Sequence, residues 1–224
     1  MKGFFKNNAL FIALSLILAV VLGLALLYVP KGELHLLLCD RHTPARDIFY
    51  KYYTQLAEWF PYVVCVALLL FSRIGDGVLA TAALSISGLV AQGLKYAVDT
   101  NRPYRWFADN MPDVTLPLVD GVHMSKYYSF PSGHTTSFFA LAFVLCILVT
   151  RNPRYPRTTS YLIQLLLFIA ATVGAYSRIY LSQHFPEDIF GGIFVGILTT
   201  ILCYVVFVRY EDQKWYNYRL FQKK

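Results

Sequence analysis

The chain has 224 residues, of which 57% are apolar and 15% charged, and its mean hydropathy is +0.48. A soluble domain is roughly 45–50% apolar and about 25% charged, so the composition excludes an ordinary soluble domain and a disordered chain and indicates an integral membrane protein. The 13 Gly exclude a collagen-like chain, the 4 Cys exclude a disulfide scaffold, and a formal charge of +7 raises the question of an anionic partner.

A helix needs about 20 apolar residues to cross a hydrocarbon core. The first such stretch, 9–29, follows Lys2 and Lys6. Its apolar run is longer than that of a signal peptide, and no small-residue cleavage site follows, so it reads as an uncleaved span. Thr43-Pro44 then reads as a helix start with Pro at the first position. After it, Ile48, Phe49, Tyr52, Leu56, Trp59 and Phe60 recur at helical spacing opposite Asp47, Lys51 and Gln55. That pattern predicts an amphipathic helix in the membrane interface or an extension of the next span. Further spans follow at 58–71, which is short, and at 78–98, 132–149, 161–180 and 189–208. The fold class is therefore all-α: a six-helix transmembrane bundle with a short interfacial amphipathic helix, in a single domain over 1–224.

Six spans put both termini on one side. With the N-terminus inside, 11 basic residues fall inside, from Lys2 and Lys6 to Lys223 and Lys224. Another 9 fall outside: Lys31, Arg41, Arg46, Lys51, Lys95, Arg102, Arg105, Lys126 and Arg178. This weak positive-inside bias sharpens if some outer cations are kept for chemistry. The basic residues form no run and match no nucleic-acid motif, so a lipid surface or an anionic substrate is the expected partner and nucleic acid is not. Cys39, Cys65, Cys146 and Cys203 form no CxxC pair and read as small apolar residues.

Ionisable residues at span ends are costly and are functional candidates by default. Lys95 and Arg102-Pro103 close the third span; taken alone, they equally suit cations snorkelling to headgroups. Phe130-Pro131-Ser132-Gly133-His134 opens the fourth. A helix start there offers free N–H groups and positive dipole to a phosphate, Gly133 permits close backbone approach, Ser132 adds a hydroxyl and His134 a transferable proton. Ser177-Arg178, His184 and Asp188 join the fifth and sixth spans. Asp188 follows His184 by four residues and can hold one ring nitrogen so that the other serves as nucleophile or base. All three clusters fall at the outer ends of spans. Together they supply positive charge for phosphoryl oxygens, a nucleophile, and an acid for the leaving oxygen. A metal held by the two His and Asp188 is the alternative, which the adjacent Lys and Arg disfavour.

In this order the clusters resemble the type 2 phosphatidic acid phosphatase superfamily, which groups membrane lipid phosphatases with soluble vanadium haloperoxidases. Its pattern is Lys-x6-Arg-Pro, then Pro-Ser-Gly-His, then Ser-Arg-x5-His-x3-Asp, and every position is filled between Lys95 and Asp188. The resemblance implies that His184 attacks phosphorus, forming a phosphohistidine, with Asp188 orienting it. It implies that His134 protonates the leaving lipid oxygen and then activates water. Lys95, Arg102, Arg178, Ser132 and the Gly133 N–H would bind the phosphoryl oxygens. It further implies no divalent metal and no cofactor. The site would lie at the outer face of a cell membrane, with cytoplasmic termini. The expected partner is a membrane lipid phosphate: phosphatidylglycerol phosphate, undecaprenyl pyrophosphate, lipid A phosphate or phosphatidic acid. No N-x-Ser/Thr acceptor is present, which leans towards a bacterial inner membrane. A phosphotransferase, or a non-catalytic adaptor, is the alternative function. The stretch 104–129 is expected to select the headgroup, while His35, His42 and His123 match no motif and are expected to lack a catalytic role.

Overall fold

The computed structural model describes residues 2–39 and 41–219. Lys223 and Lys224 of the inner charge count lie outside the described residues, as does the side chain of Lys2. The described chain folds into α1 (Lys2–Asn7), α2 (Ala9–Tyr28), α3 (Lys31–Cys39), α4 (Pro44–Tyr53), α5 (Trp59–Ser72), α6 (Ile74–Val98), α7 (Pro103–Asn110), α8 (Gly133–Arg151), α9 (Arg157–Tyr180) and α10 (Pro186–Phe207). Two short 3-10 turns lie at Thr54–Ala57 and Val208–Tyr210.

Among the described residues five stretches are long and apolar enough to cross a membrane, and a sixth is reached if one bent helix pair counts as a single span. Helix α5 alone has 14 residues, or about 21 Å at 1.5 Å per residue, which is short of a bilayer core. Together with α4 and the 3-10 turn, which meet it at Glu58 with a bend of 50°, it is long and apolar enough for a broken span or a re-entrant loop. Thr43 Oγ1 caps α4, accepting from Arg46 N at 3.3 Å. Ile48, Phe49, Tyr52 and Leu56 stay exposed, while Asp47 accepts from the Tyr180 hydroxyl at 2.5 Å. The polar face of α4 thus packs on the protein and its apolar face is left for lipid.

Helix α8 is central, packing on α6, α9 and α10, and ten of its 19 residues are buried. Lipid tails are as apolar as Leu, so close packing rather than hydrophobic exclusion holds such helices together. Glycines on α10 permit that approach. A Cβ at Gly196 would lie 2.5 Å from Thr136 O, and one at Gly192 would lie 2.9 Å from Ser132 O. Helix α2 buries only the stripe Phe11, Ser15 and Ala19, against α9 and α10.

The two ends of the bundle differ. At one end α1 packs back through Phe4 onto Phe143 and Tyr204, and the C-terminal segment closes over α6. Tyr218 O and Tyr216 O accept from Ile74 N and Gly75 N, both at 3.0 Å, filling acceptor positions that a helix start leaves open. Both described ends of the chain therefore lie together, beside the α5–α6 turn and the α8–α9 loop. The opposite end gathers the last turns of α6 and α9 and the first turns of α8 and α10.

Pro103 ends the third span in the sequence reading. In the structure Asp99, in the left-handed region at φ 39°, closes α6 at Val98, and Pro103 instead opens α7. Lys95 and Arg102 consequently do not share a helix face. Helices α1, α3 and α7 are additions to the sequence reading, and α7 takes up the beginning of the long 104–129 stretch.

Candidate active site

The turn between α9 and α10 builds the centre. Gln183 N and His184 N donate to Arg178 O at 2.9 and 3.1 Å, with Ser182 in the left-handed region at φ 49°. These bonds satisfy the end of α9 and fold His184 back beside Arg178. Pro186 then starts α10, and Asp188 at its third position accepts from Phe185 N at 2.8 Å, a capping arrangement. The same Oδ2 accepts from the Ser129 hydroxyl at 2.5 Å and meets His184 Nδ1 at 3.2 Å. A carboxylate oxygen can only accept, so in this contact Nδ1 carries the proton. Nε2 makes no hydrogen bond among the described residues and keeps its lone pair. Burial, then the charges of Arg102, Arg178 and Lys95, hold the His184 imidazole well below its ordinary pKa, so the ring is neutral near pH 7.

Three cations surround it, each oriented without a carboxylate. Lys95 donates to Tyr128 O at 2.7 Å, and Arg102 to Tyr127 O at 2.9 Å and Gln183 O at 3.4 Å. Arg178 donates to Thr54 Oγ1 at 2.7 Å and Gln183 Oε1 at 3.4 Å, and its buried Nε has no partner among the described residues. Neutral acceptors fix the cations, none of which is in a salt bridge among the described residues; Asp188 acts on Lys95 and Arg102, and Glu58 on Arg178, only at longer range. One carboxylate inside the cluster against three cations leaves a positive surplus, as an anion site requires.

Helix α8 supplies the remaining wall. Ser132 is fully buried; its Oγ accepts from Thr135 N at 3.3 Å and Thr135 Oγ1 at 3.0 Å, so its own proton is free to donate. The Gly133 and His134 N–H groups precede the first intrahelical donor. A side chain at Gly133 would first meet Lys95 Cε, at 4.0 Å, so this helix start faces the Lys95 side chain. The cations Arg178, Arg102 and Lys95 lie close enough to act on the His134 ring. All eight residues singled out in the sequence thus belong to one cluster.

Several partners escaped the sequence reading. Ser129 completes the Asp188–His184 pair, Gln183 links two arginines, and Thr54 holds Arg178 from the break between α4 and α5. The stretch expected to select the headgroup lies over Lys95 and Arg102 through its carbonyls. Of the histidines outside the motifs, His35 stands behind the site. Its Nε2 lies 3.2 Å from Ser182 Oγ and its ring 5.2 Å from that of Phe185. Burial brings its pKa down to about 4, so it too is neutral.

Residues 76–212, more than half of the chain and all three clusters, match the family model described as the PAP2 superfamily. The chain belongs to the PAP2 superfamily. It is 28% identical over 178 residues to the lipid A 4'-phosphatase of Porphyromonas gingivalis, covering 77% of this chain and 70% of that one. It spans about half the length of two lipid phosphate phosphatases of Arabidopsis thaliana that it also matches. Among solved structures, Aquifex aeolicus LpxE superposes with a TM-score of 0.62 at 26% identity, over 76% of this chain and 92% of that one. The transmembrane PAP2 type phosphatidylglycerolphosphate phosphatase of Bacillus subtilis superposes with a TM-score of 0.68 at 22% identity, over 94% and 100%. The last likeness fixes the fold: this PAP2 chain is a multi-pass, all-helical membrane protein.

Proposed function

We propose that this PAP2 membrane lipid phosphatase removes a terminal phosphate from a bilayer lipid, at the non-cytoplasmic face, through a phosphohistidine at His184. The observation that carries the reading is the His184 ring itself: Nδ1 tied to Asp188, Nε2 free, and three cations around it, none of them in a salt bridge among the described residues.

In the first step Nε2 attacks phosphorus and the bond to the lipid oxygen breaks. Lys95, Arg102, Arg178, the Ser132 hydroxyl and the Gly133 N–H hold the phosphoryl oxygens, where charge is stabilised without reorganisation. Asp188 accepts from the imidazolium that forms and stabilises it. His134 gives its proton to the departing lipid oxygen. In the second step His134 takes a proton from water, the hydroxide oxygen bonds to phosphorus, and the N–P bond breaks to return neutral His184 and inorganic phosphate. A lipid suits this placement, since its chains can stay beside the helices while the phosphate reaches the site at their ends. The likeness to enzymes named for lipid A and phosphatidylglycerol phosphate supports substrates of that class.

Phosphate release by purified protein in EDTA tests this on phosphatidic acid, phosphatidylglycerol phosphate, undecaprenyl pyrophosphate and lipid A. His184→Ala is expected to lower release at least a thousandfold, on the order seen when other covalent nucleophiles are removed, while the protein stays folded. Activity retained in the variant removes His184 as nucleophile, and activity lost with chelator removes the metal-free mechanism.

A further inference from the structure

We infer, resting on the phosphatase reading, that the preferred substrate carries a second phosphate close to the one that is removed, and that Lys126 helps to bind it. A cavity of about 550 Å³ is lined by Lys95 and Arg102 together with Gln92, His123 and Lys126, and His184 is not part of its lining. That volume lies within the range of sites for whole small molecules and far exceeds one phosphoryl group. None of its described lining residues is acidic.

The other large polar cavity provides the contrast. At the far end of the bundle, a space of about 630 Å³ is lined by cations and carboxylates together. There Arg73 pairs with Asp76 at 2.6 Å, and Arg151 pairs with Glu211. Its four arginines face three carboxylates, so most of their charge is answered within the cavity. The cavity beside Lys95 and Arg102 has three cations and no carboxylate among its described lining residues.

The charge balance gives the substrate class. A phosphomonoester brings about two negative charges, which Lys95, Arg102 and Arg178 already answer. Lys126 adds a cation with no carboxylate partner among the described residues, at the mouth of a chamber too large for the scissile group. Its own carbonyl accepts from Arg102 N at 2.9 Å, so the backbone that carries this extra charge is fixed directly to the phosphate-binding arginine. A phosphoanhydride, as in an isoprenoid pyrophosphate, meets the geometry. So does a separate phosphate, as in phosphatidylglycerol phosphate. Phosphatidic acid has no such group.

The test compares kcat/KM for farnesyl pyrophosphate, phosphatidylglycerol phosphate and phosphatidic acid, in wild type, Lys126→Gln and Lys126→Arg. We expect the wild type to favour the two-phosphate substrates. Lys126→Gln should reduce that preference about tenfold, the usual worth of one charge-assisted contact, mainly through KM, and Lys126→Arg should restore most of it. A loss confined to one of the two-phosphate substrates identifies which arrangement the chamber accepts. An equal loss on all three means that Lys126 merely gathers anionic lipid or braces Arg102, and overturns the inference. So does an unchanged ratio. If the wild type, compared with His184→Ala, hydrolyses none of the three, the phosphatase reading itself falls.

Discussion

Surplus positive charge is the property on which the individual site residues depend. Lys95 and Arg102 rest on carbonyls of the segment ahead of α8, and Arg178 on a hydroxyl and an amide, so none of the three is tied up in a salt bridge among the described residues and, in the proposed reaction, each can turn its charge to a phosphate. The same cations act on His184. Together with burial they lower its pKa, and the attacking ring must be neutral. The acid limb of kcat/KM is therefore expected below the ordinary histidine value of about 6.5. Arg102→Gln removes the charge that acts most strongly on the ring. Losing a cation disfavours the imidazolium less, so the pKa rises and the acid limb moves towards neutral pH. The variant should also lose about 3 kcal/mol of transition-state stabilisation, or roughly a hundredfold in rate. A pH–rate profile on one substrate reads both effects, because the substrate's own titration is common to the two proteins. A limb that stays in place would show that Arg102 binds phosphate without tuning His184.

At the scale of elements, the site depends on how tightly α8 and α10 approach, because their first turns carry Ser132, Gly133 and His134 on one and Asp188 on the other. Ser132 N donates to Asp188 O at 3.0 Å, so the two helix starts are joined directly. Gly196 lies two turns below that joint. Gly196→Val must push α8 and α10 apart, since its Cβ would lie 2.5 Å from Thr136 O. Overpacking of this kind costs about 1–3 kcal/mol, and a lower Tm in detergent with at least a comparable loss of phosphate release is the expected result. A variant with unchanged Tm would mean that the helices separate freely and that the glycine face is not what sets their spacing. The spans that carry the motifs were legible because long uncharged runs have one solution in a bilayer, and α8, α9 and α10 begin and end within a few residues of the sequence reading. Helix α3 was not legible. It has nine residues with charges at one end and buries Gly32, Leu34, His35 and Cys39, a mixture of small, polar and apolar residues in a segment too short for apolar periodicity to distinguish it from a loop. Helix α7 was hidden by Pro103, which stops one helix and starts another with equal ease. The motif residues announced themselves as costly charges at span ends. Ser129, Gln183 and Thr54 did not, because a small polar residue acquires its role only from a distant partner: Thr54 and Arg178 are 124 positions apart.

For the whole molecule, the division between its ends bears on how it sits in the membrane. The described termini share the end opposite the site, so the side that holds the termini decides which leaflet supplies the substrate. Counted from sequence, the basic residues favour termini inside by only 11 to 9. The structure changes the weight of that count. Lys95, Arg102 and Arg178 are held in the site, and 9 less these 3 leaves 6 outer cations free to influence insertion. Lys31 is paired with Glu187 at 2.5 Å and Arg105 with Asp109 at 2.8 Å. The positive-inside rule counts Lys and Arg in short loops near span ends, and the loops at the termini end, with Arg73, Arg151, Arg154 and Arg157, fit it. We therefore expect cytoplasmic termini and a site on the outer face. Fusions to the C-terminus in bacteria check this: a fluorescent protein that matures only in the cytoplasm should glow, and an alkaline phosphatase that needs an oxidising compartment should stay inactive. The opposite pattern would place His184 at the cytoplasmic face. Its substrate would then have to come from the inner leaflet, and the outer-face assignment would be lost while the phosphohistidine chemistry stood unchanged.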